Sequence, residues 1–109
     1  MKSYVFIESR DPFESRYSQF VVDNASALKQ RDHEVIVFLV QNGVLATRRN
    51  AAGSHLPQLA KSGVTLLADT FSLRERGILS PEMMEAVKES SVEALVDILV
   101  RDNTRAIWH

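Results

Sequence analysis

Val64-Thr65-Leu66-Leu67-Ala68-Asp69-Thr70-Phe71-Ser72-Leu73-Arg74-Glu75-Arg76-Gly77-Ile78 begins as an apolar run of strand length and stops at Asp69. A polar turn and a short basic helix follow, closed by Arg76-Gly77. In an open α/β sheet, ligands bind just past the carboxyl ends of the strands. Asp69 and Ser72 therefore fall where a functional site is first sought.

Outward from this stretch, the chain alternates strand-like runs with helix-period segments, the pattern of a parallel α/β sheet. Residues 4–7 read as the first strand, and residues 8–15 as a polar loop. A helix is predicted over 16–30, with Tyr17, Phe20, Val21, Ala25 and Leu28 on one face. The continuous apolar run 35–40 predicts a central strand buried on both faces, and Gln41-Asn42-Gly43 predicts a turn. Residues 44–53 read either as a polar loop or as a frayed helix. Ser54 is placed to cap a short helix that turns Leu56, Leu59 and Ala60 inward and stops at Gly63. Residues 64–68 are the third strand. Ser80-Pro81-Glu82 has the form of a helix start, with Met83, Met84 and Val87 as its apolar side. Ser90 and Glu93 fit a capping box opening a helix over 91–101 with a stripe at Val92, Leu95, Val96 and Leu99. Residues 105–108 close the chain as a short strand.

Composition narrows the function. A chain of 109 residues reads as a single domain over 1–109, and 45% hydrophobic with 25% charged residues is ordinary for a globular protein. A formal net charge of −1 argues against nucleic-acid binding, which shows as a basic excess. No apolar run reaches the roughly 18–20 residues of a membrane span, and the first residues read as a strand rather than a signal sequence, so the expectation is a cytoplasmic protein. With no cysteine, disulfides, thiolate catalysis and zinc–thiolate sites are excluded.

Asp69 reads either as a ligand-binding carboxylate or as the N-cap of the helix after it, a role its charge and side chain suit. Ser72 either shares that crevice or points to solvent. Arg76, with Arg74, reads as an anion holder through bidentate hydrogen bonds or as part of a solvated charge run. Arg10, Asp11, Ser15 and Arg16 lie on or beside the loop after the first strand, at the crevice edge, or form an ordinary helix start. Asn42 and Gly43 follow the second strand at the same end of the sheet. Arg48 and Arg49 read as a surface pair or an oligomer contact, and Trp108 as an edge or interface residue. Nothing places His33, His55 and His109 together, so no metal site is expected. The glycines stand singly at 43, 53, 63 and 77, without a phosphate-binding loop or dinucleotide motif. No cofactor is expected, and a nucleotide-sensing module is disfavoured on the same ground.

The frame of the 64–78 stretch resembles the DsrE/DsrF/DsrH-like family of sulfur-relay proteins. There a cysteine ends the strand, eight residues before the Gly of an Arg-Gly-Ile/Val/Leu closing signal, and some members carry a second cysteine three residues later. Here those positions read Asp69 and Ser72, and Arg76-Gly77-Ile78 matches the closing signal. Asp32-His33-Glu34-Val35 resembles the Gly-His-Glu-Val that leads into the second strand, with Asp32 in place of Gly. Phe38, Gly43 and Val44 match that strand and the Gly-Val opening its loop, and the helix and strand over 94–108 fit the family ending. The resemblance implies a three-layer α/β/α sandwich with a mostly parallel sheet of about five strands, usually assembled as trimers or hexamers. It also implies a sulfur-carrier role, a cysteine persulfide passed along a relay, for which this chain lacks the nucleophile. What remains is a non-catalytic subunit binding a protein partner of a sulfur relay or a small anion. The alternative is an enzyme or relay accessory protein using Asp69 and Ser72 at the cysteine positions. Fold alone does not choose between them.

Overall fold

The computed structural model describes residues 2–11, 18–49, 51 and 54–109. Five strands, β1 (Ser3–Glu8), β2 (Glu34–Leu39), β3 (Thr65–Asp69), β4 (Val87–Ser90) and β5 (Thr104–Trp108), form one sheet in the order β4-β3-β2-β1-β5. Every neighbouring pair is parallel, so the expected mostly parallel sheet is parallel throughout. The helices are α1 (Ser18–Gln30), α2 (Leu56–Lys61), α3 (Thr70–Glu75) and α4 (Val92–Leu99).

Strand alternation assigns the two faces. Phe6, Val35, Val37, Leu39, Leu66, Ala68 and Val87 pack on one side against Val21, Val22 and Ala25 of α1, Leu56 and Leu59 of α2 and Leu73 of α3. Val5, Ile7, Ile36 and Phe38 face the other side, where Leu95 of α4 is the one buried helix residue. The continuous apolar β2 serves both faces, as a buried parallel strand should. The result is the three-layer α/β/α sandwich; among the described residues, one outer layer is formed by α4.

Three helix exits share one device. After α3, Ile78 N–H donates to the Leu73 carbonyl and Gly77 N–H to that of Arg74, with Gly77 at φ 67°. This is a Schellman C-cap, and it gives Arg76-Gly77-Ile78 its physical meaning. The glycine supplies the left-handed turn, and the buried Ile78 closes over Leu73. Gly63 ends α2 in the same way. After α1 the left-handed position is taken by Asp32 at φ 63°, with His33 N–H on the Leu28 carbonyl.

Several local expectations are corrected. Ser80-Pro81-Glu82 starts only a single 3₁₀ turn, in which the Glu82 carboxylate accepts from Leu79 N–H. Met84 N–H then goes to the Thr47 carbonyl and Val87 joins Leu66 in the β ladder, so the expected helix gives way to β4. The cap of α4 is Ser91, whose hydroxyl accepts from Ala94 N–H, because Ser90 still belongs to β4. On α4 the sheet takes Leu95 and half-buries Ile98 and Leu99, leaving Val92 and Val96 exposed. Residues 41–47 form a 3₁₀ segment. His55 rather than Ser54 holds the cap position of α2, but the Ser54 hydroxyl, which donates to the Ala46 carbonyl, accepts Leu56 N–H at the helix start at 3.4 Å. The helix expected over 16–30 is described from Ser18 onward, and its Phe20 is exposed rather than inward.

Candidate functional site

In a parallel sheet every carboxyl strand end lies on one edge, so Glu8, Leu39, Asp69, Ser90 and Trp108 share a rim. Asp69 ends β3 and caps α3. Its Oδ2 accepts from Ser72 N–H at 2.9 Å and from Ser72 Oγ at 2.8 Å. Both residues are buried, at 5% and 4% exposure. The Ser72 hydroxyl in turn accepts Gln41 N–H at 2.9 Å. One carboxylate thus ties the end of β3 to the first turn of α3, and one hydroxyl ties α3 to the loop after β2. Gln41 stands at φ 49°, a left-handed conformation held by this bond and by Gly43 N–H on the Val40 carbonyl.

Arg76 completes the cluster. It donates from Nε and Nη2 to Asn42 Oδ1 at 3.2 and 3.0 Å, and from Nη1 to the Ser72 carbonyl at 3.2 Å. Glu75 lies 3.8 Å from the same guanidinium. The guanidinium thus faces two neutral oxygens and the Glu75 carboxylate, so the charge at this corner is shared between Arg76 and Glu75. Gly43 sits tightly under the loop after β1. A Cβ there would stand 2.3 Å from the Glu8 carbonyl oxygen, so backbone proximity requires the glycine.

The structure therefore gathers Asp69, Ser72, Arg76, Asn42 and Gly43 into one hydrogen-bonded corner. Arg10 stands apart from it, on the exposed loop after β1, where its N–H donates to Glu8 Oε1 at 2.9 Å. Arg16 and Ser15 lie outside the described residues. Arg49 reaches across to the Pro81 carbonyl and Arg48 to that of Leu45, so both hold loops.

Two residues that sequence reasoning passed over meet at the place where strand order reverses. The chain steps from β1 to β4 in one direction and returns with β5 on the far side of β1. In such folds the crevice opens at that reversal. There Glu8 Oε2 and His109 Nδ1 lie 2.7 Å apart, both side chains nearly buried. The His109 ring stacks on Phe20 with centroids 4.9 Å apart. Beside this pair, between α1, α2 and the ends of β1 and β2, lies a cavity of about 40 Å³. Val21, Val22, Leu39, Leu56 and Leu59 wall it, and Glu8, Arg10 and His55 stand at its polar end. The available signal was Glu8, a carboxylate closing an apolar strand. Its partner 101 positions away becomes visible only when β5 is placed beside β1.

Chemically, the corner at Asp69 is a closed network. The carboxylate is engaged by two donors and the hydroxyl both donates and accepts, so neither is positioned as a nucleophile. Among the described residues, no group of three metal-ligating side chains converges, and no helix is long and apolar enough to cross a membrane.

The model of the DsrE/DsrF-like family matches residues 2–104. Among solved structures, the chain is similar to MTH1491, a protein of unknown function from Methanobacterium thermoautotrophicum, with a TM-score of 0.84 at 22% identity over 100% of both chains. It is also similar to the ychN protein from E. coli, with a TM-score of 0.80 at 19% identity, over 98% of this chain and 100% of that one. At these identities the two structures establish a shared fold. No curated protein matches the chain. With the family model spanning nearly its whole length and the three-layer parallel fold matching theirs, the chain belongs to the DsrE/DsrF-like family.

Proposed function

We propose that this chain is a non-catalytic DsrE-like subunit, oligomeric and cytoplasmic, that binds a protein partner or a small anion in sulfur metabolism. The observation that carries the reading is the use made of Asp69 and Ser72. At the positions of the family cysteines they are buried and hydrogen-bonded to each other and to Gln41 N–H. A residue pair already satisfied by its own backbone holds a loop. The enzyme reading requires the same two groups to face a substrate, and their burial counts against it. An ionised carboxylate there also repels an anion from the rim position used in the family for a persulfide. An anion belongs nearer Arg76 or Arg10, whose charge and hydrogen-bond geometry suit oxyanions. Trimers or hexamers are the assembly that the family resemblance implies.

Calorimetric titration with thiosulfate, sulfite and phosphate tests the anion arm. Binding that weakens several-fold in Arg76→Gln or Arg10→Gln and persists in Asp69→Asn supports it. Turnover of any of these compounds, abolished by Asp69→Asn, would replace the reading with the enzymatic one.

A further inference from the structure

Helix α1 carries two stripes. Val21, Val22 and Ala25 enter the core. Phe20, Asn24, Ala27, Leu28 and Arg31, at three- and four-residue steps, form a second stripe beside it that runs to the residue just past the helix. This second stripe borders the β1–β5 margin of the sheet. Among the described residues no other helix covers that margin on this side, since α2 and α3 pack on β3 and α4 lies on the opposite face. Tyr4, Phe6 and Ile107 form the facing wall, and the groove between the walls has a volume of about 330 Å³. Small-molecule sites occupy roughly 300–1,000 Å³.

The groove is apolar along its length and cationic at one end. Tyr4 meets the His33 ring edge to face, with centroids 5.2 Å apart, and Phe20 stacks on His109. Both aromatic side chains are therefore held in place before anything binds, which lowers the ordering cost of binding. Phe20 is 42% exposed, so its ring remains open to contact. Helix α1 runs antiparallel to the strands it connects, so Arg31 comes beside Tyr4 at the amino end of β1. Phe20 lies three turns away, roughly 16 Å along the helix axis. Among the described residues the Arg31 guanidinium has neither an ion pair nor a hydrogen-bond acceptor. Arg105 is level with Tyr4 and two residues from Ile107, so it shares their face and adds a second positive charge at that end. No carboxylate lines the groove, and Asp23, on the adjoining turn of α1, accepts from Gln19 Nε2.

We propose that this groove binds a small amphipathic carboxylic acid. Its apolar body lies between α1 and the β1–β5 face, against Tyr4, Leu28 and Ile107, and its carboxylate takes paired hydrogen bonds from the Arg31 fork. The site is separate from the corner of Asp69 and Arg76, which lies at the carboxyl rim of β2 and β3. A small acid is favoured over a docked helix because the strand wall offers only half-buried Tyr4 and Ile107 beside buried Phe6. A helix in a groove needs anchors over several turns. The absence of acidic side chains from the lining and the two arginines at one end select an anionic head over a cationic one.

The test is calorimetric titration of the full chain with phenylbutyrate and with phenylbutyramide, which has the same body without the charge. Amide chemical shifts locate the bound molecule, and circular dichroism is the folding control. Phenylbutyrate is expected to bind saturably, with shifts centred on Tyr4, Ala27, Leu28, Arg31 and Ile107. Arg31→Gln is expected to weaken phenylbutyrate about tenfold, the usual consequence of losing a hydrogen-bonded charge, and to leave phenylbutyramide unchanged. Ala27→Trp, at an exposed position of the stripe, is expected to fill the groove and abolish binding of both compounds with an unaltered dichroism spectrum. Lys88→Gln, at the other margin of the sheet, is expected to bind phenylbutyrate as the wild type does. No saturable binding overturns the proposal and leaves the groove to a macromolecular partner. Binding that is unaffected by Arg31→Gln and Ala27→Trp also overturns it. So do shifts centred on Asn42, Ser72 and Arg76, which would place the acid at the rim, or on Leu56 and Leu59, which would place it in the cavity beside Glu8.

Discussion

Replacing Asp69 by Ala tests whether this residue holds the corner together. The substitution removes one oxygen that accepts two hydrogen bonds, from Ser72 N–H and Ser72 Oγ, at a site 5% exposed. Losing such an N-cap costs about 0.5–2 kcal/mol. The Ser72 hydroxyl also loses its acceptor while buried, which adds about 1 kcal/mol, the low end of the usual range, because it still accepts Gln41 N–H. The sum is about 1.5–3 kcal/mol. At about 4 °C per kcal/mol for a domain of this size, the melting temperature should fall by about 6–12 °C. Asp69→Asn keeps a capping oxygen of equal quality, so its loss should stay within about 0.5 kcal/mol. Thermal unfolding followed by circular dichroism reads both variants, and light scattering should find the assembly unchanged in each. An unaltered melting temperature in Asp69→Ala would refute the capping role. Equal losses in Asp69→Ala and Asp69→Asn would show that the charge, not the cap, is what the fold uses.

Three further outcomes follow from the same geometry. Asp32→Gly should raise stability by about 0.5–1 kcal/mol, since Asp32 holds the left-handed position of a Schellman cap at φ 63° where glycine carries no Cβ penalty; an unchanged or lower unfolding midpoint in urea would contradict this. Gly43→Ala should destabilise by about 1–3 kcal/mol because its Cβ would press on the Glu8 carbonyl oxygen, a backbone atom that cannot swing aside; a neutral result in the same assay would show that the loop after β1 yields. Leu95→Ala should cost about 2–5 kcal/mol as the one buried side chain of α4, whereas Val96→Ala, half exposed, should change folding stability by less than about 0.5 kcal/mol; equivalent losses would show that the packing of α4 is misassigned.

Much of this fold is legible in the sequence because its signals are local. The apolar run before Asp69, the β-branched run of β2, and the Gly63 and Gly77 helix exits each express a backbone requirement in a few adjacent residues. Where long-range pairing competes, local signals fail. Ser80-Pro81-Glu82 is a sound helix start, yet Val87 is drawn into the ladder beside Leu66 and the helix stops after one turn. Ser90 and Ser91 are equally good caps, and only the end of β4 selects the second. On α4 and its C-cap the residues Val92, Leu95, Val96, Ile98, Leu99 and Val100 cover an arc of about 200° at 3.6 residues per turn. That arc is wider than one sheet face can bury, so the pattern does not say which half faces inward. Asp69, Asn42 and Gly43 were legible as one corner from the strand ends, whereas the sequence left Ser72 open between crevice and solvent, and its hydrogen bond to Asp69 is what brings it in. Glu8 with His109 was not legible, because their meeting depends on where the last strand returns.

The central claim is that the position of the family cysteine has been turned into a structural cap, leaving a subunit that does not itself carry sulfur. Its most direct test is intact mass spectrometry of the purified chain after incubation with a cysteine desulfurase and cysteine. The thiolate is the group that attacks and holds sulfur, and the chain has no cysteine. An unchanged mass is expected, with a cysteine-bearing DsrE-like chain in the same mixture gaining sulfur. A stable addition of one sulfur atom to this chain would contradict the claim.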